Sequence, residues 1–156
     1  MKESALRVQD ALTTERLELE VREFPASTRT AAEAAQAIGC EVAAIAKSIV
    51  FRGRESGGPI LAVASGAHRI DVEKLAKAAG EAPERADADF VREKTGFAIG
   101  GVPPIAHKVP PVTVIDESLM ALPEIWAAAG TPNALFRLTP TDLLRLTGGK
   151  LADLKP

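Results

Sequence analysis

Tyrosine is absent from this 156-residue chain and aromatic residues make up only 4% of it, so a core has to be packed mainly from Ala, Val, Ile and Leu. A single cysteine, Cys40, excludes an internal disulfide and any multi-cysteine metal site. The two histidines, His68 and His107, lie too far apart for a zinc-ligand spacing, so neither a metal nor a cofactor is expected. No apolar run approaches the roughly 18 residues of a membrane span, and the N-terminus lacks the pattern of a signal peptide. The expected compartment is the cytoplasm, without a membrane partner. A net charge of −2 offers no global attraction to nucleic acid, so a polyanion would need a local patch. Neither a G-x-x-x-x-G-K-[ST] loop nor a G-x-G-x-x-G turn between strand and helix occurs, which removes the usual nucleotide-phosphate cradles.

What remains reads as one domain over residues 1–156, with strands and helices interspersed: an α/β (α+β) chain with a mixed sheet and helices packed outside. Ser4 is positioned to cap a first helix through Thr13. Leu17, Leu19 and Val21 alternate with charged residues as in a half-buried strand ending near Phe24. Thr30 and Glu33 form a capping box ahead of Ala31, Ala34, Ala35 and Ile38, which share one helical face. Lys47–Phe51 and Pro59–Ser65 read as a hairpin, and the unbroken apolar run Ile60–Ala64 predicts burial on both faces. Asp71 caps the next helix, and Ala88–Thr95 forms another. Val112–Ile115 and Ala134–Leu138 suit strands, Pro123 suits the first position of a helix over Glu124–Ala129, and Thr139 caps a last helix to Leu146.

Chemistry has few candidates. Lys47 opens an otherwise apolar strand, so its ammonium either snorkels to solvent or points into a polar pocket, with Ser48 beside it. Gly100-Gly101-Val102-Pro103-Pro104 is a poor helix and a poor central strand. It is either a plain turn or a shaped loop whose carbonyls face something small. Cys40 needs a base to act as a nucleophile, and no neighbour in the sequence supplies one. Glu81, Glu84, Asp87 and Asp89 show no paired spacing and read as a solvated face. Arg52, Arg69, Lys74 and Lys77 are candidates for a basic patch.

Four pieces in fixed order carry a resemblance: Ala46–Phe51, the strand Ile60–Ser65 leading to Arg69-Ile70-Asp71, the loop Thr95–Ile105, and the Ala129-Gly130 turn. From about Phe24 onward the chain resembles the YbaK-type aminoacyl-tRNA deacylases and the related editing domain of prolyl-tRNA synthetase. The resemblance implies a mixed, partly barrel-like sheet and hydrolysis in trans of wrongly charged tRNA bearing Ala, Cys or Ser, with tRNA-Pro as one carrier. It implies the tRNA acceptor end as partner, with an aminoacyl-tRNA synthetase as a further one, and no metal. The family's lysine falls on Lys47 and its glycine-to-proline loop on Gly100, Gly101, Val102, Pro103 and Pro104. Phe24, Thr28 and Thr30 fall where relatives line the pocket from its N-terminal side, and Ser48 and Gly130 are further candidate substrate-binding residues. Pro103 and Ala106 replace the family's frequent Ser and Gly. Relatives carry a polar residue near Ala129 or an acid near Phe136, so these departures bear on which amino acid is removed. A binding module using the same pocket without turnover is the alternative reading.

Overall fold

The computed structural model describes residues 1–156. Its organising element is the nine-residue strand Ile45–Gly53 (β2), which continues into the hairpin partner Pro59–Ser65 (β3). Every residue of β3 is buried, as an apolar run without alternation requires. Beyond β3 lie, in parallel, Val112–Asp116 (β5) and the edge strand Lys150–Ala152 (β8). On the other side of β2, Ile125–Ala128 (β6) pairs in parallel with Ile45 and Ala46 only. Ala134–Leu138 (β7) and Val21–Glu23 (β1) complete that arm. Pro83–Arg85 (β4) pairs with the far end of β2, at Phe51–Gly53. The sheet therefore forks at β2. Between the two branches, Lys47–Val50 have no strand neighbour on the side away from β3. The outer strands β1 and β8 do not meet, so the barrel character is partial.

The helices are set by their caps. Ala31–Ile38 (α2) begins at the Thr30/Glu33 capping box, and Pro140–Thr147 (α5) at a second one formed by Thr139 and Asp142. Asp71 and Asp87 cap Val72–Ala79 (α3) and Ala88–Thr95 (α4) through their carboxylates. The first helix, Glu3–Thr14 (α1), buries Ala5, Val8 and Leu12 in the main core with Phe97 and Phe136. A smaller cluster packs α2 onto Trp126, and another packs Leu75 of α3 onto Ile60 and Val114.

Several expectations need correction. Ser4 is not the cap of α1; Lys2 occupies that position, without a side-chain hydrogen bond. Leu17–Glu20 is not strand, because the Gln9 side chain pairs with the Leu19 carbonyl and the Val21 N–H in place of a ladder. Within Glu124–Ala129, where the sequence predicts a helix, Ile125–Ala128 is strand. The six residues of that segment are too few to fix a period, and Ile125–Ala127 are buried between β2 and β7. The short strands β4 and β8, three residues each, carry no pattern of their own. Glu81 is not simply solvated: its carboxylate accepts from the Glu55 and Ser56 N–H groups and the Ser56 hydroxyl, fastening the β2–β3 turn.

Candidate functional site

The fork in the sheet opens into a cavity of about 690 Å³. Its walls are β2, the segment Thr28–Ala34 that enters α2, the Pro83–Ala86 region, and the loop carrying Ile99, Gly100 and Val102. Ala34, Ile45, Val91, Ala128 and Leu135 make a mainly apolar surface. Ser48, Arg29 and Arg85 supply polar side-chain groups without a partner in the protein, and Lys47 adds an ammonium. No carboxylate lines the cavity.

Lys47 is half-buried on β2, and its ammonium donates to the His68 carbonyl at 2.5 Å. The ion pairs of the structure join Met1 to Glu23, Lys74 to Asp153 and Arg137 to Glu124, so Lys47 carries its charge without an acidic partner. Burial, followed by the nearby Arg69 guanidinium, pushes its pKa below the ordinary lysine value. On the adjoining residue, the Ser48 hydroxyl is buried with no hydrogen-bond partner. An orphaned buried hydroxyl costs stability; here it borders the cavity.

Across the cavity, Gly100 has φ +98°, a conformation that glycine adopts without the steric penalty of a side chain. A Cβ on Gly100 would fall 2.8 Å from the Arg29 Cγ, so the arginine stem lies against the loop. The N–H and carbonyl groups of Gly100 and Val102 make no hydrogen bond within the protein. Gly101, the residue between them, faces away. Its carbonyl accepts from the Gly130 N–H at 2.8 Å, and a Cβ there would meet the Thr131 backbone at 2.8 Å. Its neighbour Pro103 is likewise turned out of the cavity, its carbonyl held by the His107 Nε2–H at 2.6 Å. Ala106, at φ +65°, turns the chain so that His107 can reach back.

The cavity thus unites Lys47 with Thr28, Thr30, Ser48, Gly100 and Val102, but it is not lined by Phe24, Gly101, Pro103, Pro104 or Gly130. Phe24 packs in the Trp126 cluster. Gly101, Gly130 and Pro103 brace the loop from behind. Thr28 and Thr30 do line the cavity, yet their hydroxyls already serve the Pro132 carbonyl and the α2 cap. Sequence reasoning passed over Arg29, which looks like one more polar residue before a cap, and Arg85, which sits on a strand too short to show a period.

Two features outside the cavity bear on the chemistry. Cys40 packs with the α2 cluster, and burial raises its thiol pKa, the opposite of what a nucleophile needs. Cys40→Ser is expected to leave turnover within about twofold of wild type, a change near the floor of rate measurement. His107 keeps an unpartnered, buried Nδ1. Burial lowers its pKa more than the Pro103 hydrogen bond raises it. A folded pKa below the unfolded value contributes stability that is full above about pH 6.5 and is lost as pH falls through the folded pKa. The denaturation midpoint should therefore drop between pH 7.5 and 5.5, and this slope should shrink in His107→Gln; an identical slope in the variant would contradict the assignment.

The chain is similar to known proteins over most of its length. A crystal structure described as "a putative trans-editing enzyme for prolyl tRNA synthetase" superposes with a TM-score of 0.94 at 52% identity, covering 100% of this chain and 99% of the other. Among curated sequences, the "Uncharacterized protein YwhH" of Bacillus subtilis is 36% identical over 134 residues, 86% of this chain and 85% of its own. The "Putative Cys-tRNA(Pro)/Cys-tRNA(Cys) deacylase EbsC" of Enterococcus faecalis is 32% identical over 126 residues, 80% of this chain and 76% of its own. The profile of the aminoacyl-tRNA editing domain matches residues 25–146, which run from the entry to α2 through the cavity walls to α5. By that match and by those relatives, the chain belongs to the aminoacyl-tRNA editing domain family.

Proposed function

We propose that the cavity hydrolyses, in trans, the ester of tRNA mischarged with a small amino acid such as Ala, Cys or Ser, with tRNA-Pro as one carrier. The observation that carries this reading is an ammonium without a carboxylate partner sharing one hollow with a loop of unpaired N–H and carbonyl groups. An aminoacyl ester is already activated, so positioning and charge stabilisation suffice. Water attacks the acyl carbon, and the ester C–O bond to the ribose breaks. The proton lost by the water ends on the leaving ribose oxygen, and free amino acid and tRNA depart. Lys47 stabilises the oxyanion, while the free backbone groups of Gly100 and Val102 hold the ester and the α-amino group. Phe24, Thr28, Thr30, Ser48, Gly101, Pro103, Pro104 and Gly130 shape or support the pocket around them.

Ile45, Val102 and Leu135 limit the side chain that fits. Exclusion by size is the effective device here, since one missing methylene changes binding by only ~1–3 kcal/mol. The proposed setting is the cytoplasm, where charged tRNA and its synthetases are found, and docking on a synthetase is compatible with it. The test is a panel of mischarged tRNAs carrying Ala, Cys, Ser and larger residues. Accelerated release of the small amino acids is the expected result. Tight binding of every tRNA with no release above the buffer rate would mark a binding module instead.

A further inference from the structure

We infer that Arg29 grips the phosphodiester on the 5′ side of the terminal nucleoside, leaving Lys47 for the reacting ester. The inference rests on the proposed function and adds a residue and a ligand group to it. Arg29 lines the cavity, with its stem laid along Gly100. Its guanidinium makes no hydrogen bond, ion pair or aromatic contact. Four other arginines are engaged: Arg7 stacks on Phe97 and bonds the Gly96 carbonyl, Arg22 lies over Trp126, Arg52 over Phe90, and Arg137 pairs with Glu124. Of the two free arginines in the cavity, Arg29 and Arg85, only Arg29 lies against Gly100. The nearby Glu33 carboxylate is occupied by Thr30 and Ser27.

The cavity holds Arg29, Lys47 and Arg85 and no acid, so its ligand must bring the negative charge. The ester and amino group of an aminoacyl nucleoside bring none; the phosphodiester does. A planar fork with free donors suits two phosphate oxygens, whereas Lys47 is a point charge already tethered to the His68 carbonyl.

The experiment compares alanine esters of adenosine, which lacks this phosphodiester, and of the dinucleotide CpA, which has it. Arg29→Met should lower kcat/KM for the CpA ester about 10- to 100-fold and leave the adenosine ester within about twofold. Arg29→Lys should recover part of the loss, and added salt should weaken the wild-type advantage on the CpA ester, as expected of a screened ion pair. Equal losses on both esters, or no loss on either, would overturn the assignment. Binding of the non-hydrolysable 3′-amide analogues of both ligands reads the same contact without turnover. If wild type binds the CpA analogue through Arg29 yet hydrolyses neither ester, the catalytic reading fails and the phosphate contact stands.

Discussion

Lys47→Ala should lower the single-turnover rate of ester hydrolysis by about 10²- to 10³-fold, the usual cost of deleting one oxyanion-stabilising donor. The fold should survive. Lys47 has no ion-pair partner to orphan, and removing a half-buried charge relieves its desolvation. A melting temperature within about 2 °C of wild type is expected, since less than about 1 kcal/mol is at stake. Substrate affinity should change less than the rate, because the ammonium acts on charge that develops as water attacks. Lys47→Arg keeps a cation but not the compact ammonium, and a partial rate is expected of it. A Lys47→Ala protein that is folded and fully active would remove the lysine from the chemistry.

Gly101→Ala should damage stability and activity together. The added methyl would sit 2.8 Å from the C and N atoms of the Thr131 backbone, and a backbone neighbour cannot swing aside as a side-chain tip does. Overpacking of this kind costs about 1–3 kcal/mol, or about 3–10 °C in melting temperature for a chain of this size. The displacement would also pull on the Gly101 carbonyl bonded to Gly130 and carry Gly100 and Val102 out of register with Lys47. The expected result is a lower melting point with a lower rate constant on the protein that remains folded. Unchanged stability would mean that the loop and the 130–131 turn part more easily than their contact implies.

Much of this arrangement was legible in the residues. The capping box at Thr30, the aspartate cap at Asp71 and the buried run Ile60–Ala64 specify their elements through local chemistry, and the structure keeps all three. Lys47 and the Gly100 loop stood out because each departs from its surroundings, one as a charge in an apolar strand and the other as a glycine-proline segment. What stayed hidden depends on distant partners. Trp126 and its neighbours become a strand because β2 and β7 lie on either side of them, a tertiary effect that outweighs local propensity. The gap in pairing at Lys47–Val50, which creates the cavity, exists only because β4 and β6 stop short of each other along β2. Arg29 could not be singled out before Gly100 was seen to lie beneath it.

The central claim is that a half-buried Lys47 ammonium without an acidic partner does the electrostatic work, and a pH–rate profile on the alanine ester of CpA addresses it most directly. Burial and Arg69 lower the pKa of Lys47, so the enzymatic rate, corrected for hydroxide hydrolysis, should begin to decline below the ordinary lysine value of about 10.4. In Arg69→Ala that decline should shift to higher pH, since a like charge has gone. An enzymatic rate that stays level through pH 10, or declines at the same pH in Lys47→Arg as in wild type, would contradict the account.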